Sequence, residues 1–201
     1  MIELSHLTFS YGKSKPNILT NVSLIAEDGK CTVLCGENGA GKSTLVGLLA
    51  GILQPSGGTV RHTGRLGYLP QESALFDDMS ARDNLKFFAK LYGVTLPKDS
   101  ELPFGVSNFL GKKAGELSGG MKKRLSLACM LIGKPDTLLL DEPSAALDSE
   151  HRKELMQLLW SLRRDGKCIL YIGHDVKEYR ELCDARYLLS EGTLSPYPLV
   201  E

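Results

Sequence analysis

The run Gly36-Glu-Asn-Gly-Ala-Gly41-Lys42-Ser43-Thr44 constrains this chain more than any other stretch. It lies between two apolar segments, 30–35 and 45–53, which read as a short strand and a helix. A strand, a glycine-rich turn and a helix in that order form an anion cradle. Flexible backbone lets N–H groups curl around a phosphate, and the helix N-terminus adds a favourable field. Lys42 is then expected to reach the β- and γ-phosphate oxygens, and Ser43 to offer its hydroxyl to Mg²⁺. The helix over 45–53 meets a stop signal at Gln54-Pro55-Ser-Gly-Gly58.

Two further clusters carry chemistry. Thr137-Leu-Leu-Leu140 is an apolar strand that ends in Asp141-Glu142. A carboxylate at the C-terminal end of a parallel strand, beside a phosphate loop, is where Mg²⁺ is held. Asp141 is the expected metal-side residue, acting through water. Glu142 points elsewhere and is expected to orient or deprotonate an attacking water. Ser118-Gly119-Gly120 opens a helix over 119–132, so Ser118 is an N-cap and the exposed amides make a second potential phosphate site. Lys122, Lys123 and Arg124 occupy the first turn of that helix, where the macrodipole disfavours cations. Two readings stand for them: an anion docks nearby, or they project into water.

Organisation along the chain follows from patterning. Segments 2–10 and 18–26 alternate apolar with polar residues and read as an antiparallel pair joined by a polar loop. Two short strands are expected within 59–69, broken at Gly64. An amphipathic helix opens at Met79-Ser80, with Leu85, Phe88, Ala89 and Tyr92 at helical spacing. Prolines and glycines then punctuate the segment up to 116, which suggests a small helical insertion. After residue 117 the order is helix 119–132, strand 137–140, helix 149–164, strand 168–172, a short helix near 175–182 and two strands. That alternation argues a mainly parallel sheet covered by helices. Trp160, on helix 149–164, reads as packing.

Composition removes several classes. Lys plus Arg and Asp plus Glu are 24 each over 201 residues, so the net charge is zero and a globally basic nucleic-acid binder is excluded. The five cysteines are scattered through apolar runs with no CxxC pair, which fits reduced core thiols better than a disulfide frame or a zinc site. Cys31 and Cys35 share a strand face but lie too far apart to bridge. No apolar stretch approaches the roughly 18 residues of a membrane span, and residues 1–6 show no signal pattern. A cytoplasmic chain is expected.

Phosphate loop, Ser118-Gly119-Gly120 and Asp141-Glu142, in this order, strongly resemble the nucleotide-binding domain of ATP-binding cassette proteins, over nearly the whole chain. Tyr11 falls where that family places an aromatic under the adenine. Gln71, in Tyr68-Leu-Pro-Gln-Glu72, matches its glutamine loop, Ser144-Ala-Ala-Leu-Asp148 its aspartate loop, and His174 its switch histidine. Met121 departs from the Gln that the family often has after the two glycines. The implied fold is α/β: a P-loop NTPase core with a mixed, mainly parallel sheet, an N-terminal antiparallel β subdomain and a small helical subdomain. The implied organisation is one domain over 1–201, with the core at 1–72 and 117–201 and the insertion at 73–116.

The resemblance also implies a site and partners. ATP and Mg²⁺ would be the cofactors. Tyr11, Gly36, Asn38, Gly39, Ala40, Gly41, Lys42, Ser43 and Thr44 would contact nucleotide in cis, and Ser118, Gly119 and Gly120 in trans across a head-to-tail dimer. Ser43, Gln71 and Asp141 would surround the metal, and Glu142, His174 and Gln71 would serve the reaction. The partners would be a second copy or a paralogous ATPase, and an integral membrane transporter subunit met through the glutamine loop and the insertion. That would place the chain at the inner face of the cell membrane, with no nucleic acid involved. Residues 66–92 and Gly-Gly-Met-Lys-Lys-Arg-Leu-Ser look most like multidrug-type bacterial exporter ATPases, so export is favoured over import. Two other classes compete. A soluble cassette acting on a ribosome or a DNA repair assembly usually carries a tandem cassette or a long coiled-coil insertion, and neither is present. A non-catalytic regulator is opposed by Glu142 and His174.

Overall fold

The computed structural model describes residues 1–12, 14–173 and 180–198. Its strands β1 (Ile2–Phe9), β2 (Leu19–Ala26) and β4 (Gly57–His62) form an antiparallel sheet in the order β2-β1-β4. The other sheet runs β5-β6-β7-β3-β8-β9, from β3 (Cys31–Cys35), β5 (Leu66–Leu69), β6 (Thr137–Asp141), β7 (Cys168–Ile172), β8 (Ala185–Ser190) and β9 (Thr193–Pro196). Its pairings are parallel except for β8 with β9. The expected mixed, mainly parallel sheet and the antiparallel N-terminal pair are both present. The strands expected within 59–69 exist, but they part company, β4 joining one sheet and β5 the other.

Burial explains the division. Every residue of β3, β6 and β7 is buried, as parallel strands covered on both faces must be. Side chains alternate between two cores. Val33, Leu138, Leu140, Ile169 and Tyr171 join helices α2 (Ala81–Tyr92), α3 (Gly119–Ile132) and α4 (Ser149–Arg164). Leu34, Leu139, Leu170 and Ile172 face α1 (Lys42–Leu49) and the antiparallel sheet. Asp141 continues the Leu139 row by period two, which directs it to the α1 side.

Helix ends follow local chemistry. Ser80, Ser118 and Asp148 each accept a backbone N–H of their own helix's first turn, from Asp83, Met121 and His151 respectively. Helix α1 starts at Lys42, inside the glycine-rich run, and stops at Leu49, earlier than the sequence pattern suggests. Gly51, at φ 73°, turns the chain in the left-handed region just after the C-cap Ala50. The short helix expected near 175–182 falls largely outside the described residues. Trp160 packs against the helical core with the Arg163 guanidinium 4.9 Å from its ring centroid, which agrees with a packing role. All five cysteines are free thiols.

Candidate nucleotide site

Parallel topology collects the C-terminal ends of β5, β6, β7 and β3 along one sheet edge, where open α/β sheets place ligands. The loop from Gly36 to Gly41 leaves β3 there. An added Cβ on Gly36 would stand 2.3 Å from the Leu189 carbonyl oxygen, so only glycine lets the loop leave β3 beside β8. Gly41, at φ 102°, is the N-cap of α1 and provides no side chain to its first turn. An uncapped helix start with no acidic residue is suited to an anion. The Lys42 ammonium donates to the carbonyls of Gly36 (2.7 Å) and Glu37 (2.8 Å), which holds it across the loop mouth. Ser43 is exposed beside it, as are Asn38 and Gly39, whereas Ala40 is half-buried. Thr44 is buried, and its hydroxyl meets the Tyr11 phenol at 3.1 Å. Tyr11 therefore flanks the loop, edge-on to Phe9 and 58% exposed, with its ring open to a stacking partner.

Asp141 is buried at the end of β6 and pairs in register with Ile172, which pairs with nothing nearer the loop than Leu34. Two strand spacings, about 10 Å, thus separate the Asp141 backbone from the strand that feeds the loop. A cation with water between it and Asp141 fits that gap. Glu142 is the first residue past the strand. Its backbone at φ 47° swings it away from the Asp141 row, and its N–H donates to the Ile172 carbonyl. The Gln71 amide donates to the Glu142 carboxylate at 3.2 Å, joining the segment after β5 to the segment after β6. His174 lies outside the described residues.

Ser118, Gly119 and Gly120 stand apart from the phosphate loop. Ser118 bonds within its own helix, and the start of α3 packs on Ala146 in the loop after β6. A Cβ on Gly120 would come within 2.7 Å of the Ala146 carbonyl oxygen. A cleft of about 260 Å³ opens between Gln71, Gly119, Lys122 and Ala146.

The three basic residues of α3 do not simply project into water. Lys122 pairs with Asp77, and Arg124 donates to the Phe104 carbonyl and to His151. Lys123 is buried, its ammonium bonded to the carbonyls of Pro70 and Gln71. Burial lowers the Lys123 pKa, opposed by the nearby charges of Asp141 and Glu142. Tyr68 also went unnoticed in the sequence. Its phenol pKa is pushed up first by burial and then by the charge of Asp141. An aromatic on an alternating strand carries no sequence signal of that charge.

A parallel sheet whose strand ends gather a glycine-rich loop, its lysine and two carboxylates defines a P-loop nucleoside triphosphatase. Comparison with known proteins narrows the class. The family model described as ABC transporter matches residues 19–145. The Nod factor export ATP-binding protein I of Burkholderia lata is 34% identical over 206 residues, covering 92% of this chain and 68% of the relative. The probable multidrug ABC transporter ATP-binding protein YbhF of Escherichia coli K12 is 39% identical over 184 residues, covering 83% of this chain and 32% of the relative. Among solved structures, a dimeric ATP-binding cassette, MJ0796, in a post-hydrolysis state bound to ADP and Pi, superposes with a TM-score of 0.85 at 25% identity, covering all of both chains. The chain belongs to the ABC transporter family, as an ATP-binding subunit with ATPase activity. Among the described residues no helix is long and apolar enough to cross a membrane.

Proposed function

We propose that this chain powers transport through a separate membrane subunit by closing on a second cassette around ATP, in the export direction. The observation that carries the reading is the division of the site. Lys42 and Asp141 gather at the C-terminal end of the sheet on the α1 side, while α3 packs on β5, three strands from β3, within the core of the opposite face. A nucleotide on the loop would meet Ser118, Gly119 and Gly120 only from another chain, a second copy or a paralogue. The dimeric cassette MJ0796 supports that arrangement. The Nod factor export relative supports the direction.

The whole chain acts as one cassette, with core 1–72 and 117–201 and insertion 73–116. Gly36, Asn38, Gly39, Ala40 and Gly41 present backbone to the phosphates, Lys42 neutralises them, and Tyr11 stacks beneath the adenine. The oxygens of Ser43, Thr44, Gln71 and Asp141 are the donor set a hard cation prefers, and Ser43, Gln71 and Asp141 would hold Mg²⁺. Mg²⁺ supplies charge neutralisation at the γ-phosphate when bound. Glu142 accepts the proton of the attacking water, Gln71 steers its carboxylate, and His174 senses the γ-phosphate. The membrane subunit docks against the insertion, where Phe76, Phe87 and Leu91 leave apolar surface exposed and Phe76 meets Phe87 at 4.7 Å. The cassette then works at the inner face of the membrane.

Glu142→Gln tests the reading. It is expected to bind ATP, to hydrolyse it about 10²–10⁴-fold more slowly, and to accumulate as a dimer in size-exclusion chromatography with ATP and Mg²⁺. Wild-type turnover by Glu142→Gln or by Lys42→Ala refutes the assignment of the site.

A further inference from the structure

Lys123 is a buried ammonium that the mechanism above leaves without work. Lysine is almost never buried unless something compensates it, yet Lys123, the fifth residue of α3, is buried. Among the described residues its ammonium meets two neutral oxygens, Pro70 O at 3.4 Å and Gln71 O at 3.2 Å. Beyond them lie the charges of Asp141 and Glu142. An apolar side chain here would avoid the desolvation cost altogether.

What the lysine does is join three pieces of chain. It rises from the helix whose first residues are Gly119 and Gly120. It grips the backbone where β5 gives way to Gln71. It also lies within electrostatic reach of Asp141, which ends β6, and of Glu142, the residue after it. The Gln71 side chain, carried by the gripped residue, donates to Glu142 at 3.2 Å. Without the grip, Gln71 is exposed and has little to fix it in place.

We infer that Lys123 is a positioning residue for hydrolysis: by holding the Pro70 and Gln71 carbonyls it keeps the Gln71 amide on Glu142 and links the start of α3 to that pair. The inference rests on the proposed role of Glu142 as the water-activating carboxylate. It goes further by placing part of that residue's alignment on α3. The helix start that would meet the other chain's nucleotide is thereby tied to the carboxylate serving its own nucleotide.

The test uses the full chain, with Lys123→Met as the near-isosteric loss of the donor and Lys123→Arg as the conservative replacement. NMR of the Gln71 side-chain amide in the nucleotide-free protein reads its placement directly: Lys123→Met is expected to move the Gln71 Nε2–H resonances to the values of a free glutamine, and Lys123→Arg to restore the bonded values. In steady-state hydrolysis, Lys123→Met should lower kcat about 10- to 100-fold, the cost of a misplaced catalytic group, with KM for Mg²⁺-ATP within about threefold of wild type. The double variant Gln71→Ala/Lys123→Met should turn over no more slowly than the slower single variant, because both act through the same amide. Unchanged Gln71 side-chain amide resonances, wild-type kcat for Lys123→Met, or losses that multiply in the double variant would each overturn the inference. Absence of hydrolysis by the unaltered chain would instead remove the proposed function and leave the Gln71 amide resonances to judge the grip.

Discussion

The two glycines that open α3 should respond unequally to one added methyl group. A Cβ on Gly120 falls 2.7 Å from the Ala146 carbonyl oxygen, well inside van der Waals contact, whereas a Cβ on Gly119 meets only the Ala146 Cβ at 3.7 Å. The obstructing oxygen cannot retreat freely. Ala146 sits at φ 64°, within a turn closed by Ala145 N–H to Glu142 O and Leu147 N–H to Ser144 O. Overpacking of this kind costs about 1–3 kcal/mol. Replacing a helical glycine by alanine returns at most about 1 kcal/mol, and less in a first turn. Gly120→Ala should therefore lose about 1–2 kcal/mol, a fall in Tm of about 2–8 °C for a chain of this size. Gly119→Ala should stay within about 0.5 kcal/mol of wild type. Thermal and urea unfolding by circular dichroism decide the matter. Equal stability of the two variants would show that α3 does not lie on the Ala146 turn as described.

Other consequences are as accessible. Mixing Ser118→Arg with Lys42→Ala, each inactive alone, should recover partial hydrolysis, because the mixed dimer has one site with both lesions and one with neither; no recovery at any ratio counts against shared sites that fire independently. Asn84 is fully buried, accepting from Phe76 N–H and donating to the carbonyls of Phe76 and Ser80, so Asn84→Leu should cost about 2–4 kcal/mol in urea unfolding through polar groups left unpaired. Burial raises the thiol pKa of Cys31, Cys168 and Cys129, the last to about 12. Ellman's reagent at pH 8 should thus find no fast thiol in the native protein beyond the half-buried Cys183, and all five in guanidinium; rapid native labelling of Cys129 would contradict its burial.

What could be read in advance depended on whether the signal was local. The cap at Ser118, the helix start at Ser80, continuous apolar strands 168–172 and 137–140, and the helix spans 119–132 and 149–164 depend on neighbouring residues, and the structure places them as expected. Misreadings arose where a distant partner decided. The pattern 45–53 looked like one helix because Gly51 is a weak interruption until its left-handed turn is seen. Strands β4 and β5 are neighbours in sequence, yet their sheets are chosen by β1 and β6. Lys123 looks like a solvent residue beside Lys122 because nothing nearby announces that Pro70 and Gln71 will roof it over. The candidate site showed the same split. Motif residues around Lys42 and Asp141 were visible, but the Gln71–Glu142 and Tyr11–Thr44 contacts that join them come from different strands.

The central position of β3 has a consequence for biosynthesis. Both of its neighbours, β7 and β8, are translated long after it, and its Cys31 N–H is bonded to Asp184 across 153 residues. The exit of the phosphate loop from β3 is likewise shaped by Leu189. A nascent chain that has left the ribosome only as far as α3 therefore holds the whole glycine-rich motif but none of the parallel partners that flank its strand. Such an intermediate exposes an apolar β3 with two unpaired edges, the sort of surface that chaperones cover. A nascent chain released before β8 is thus expected to hold the glycine-rich motif without the strand partners that shape its exit.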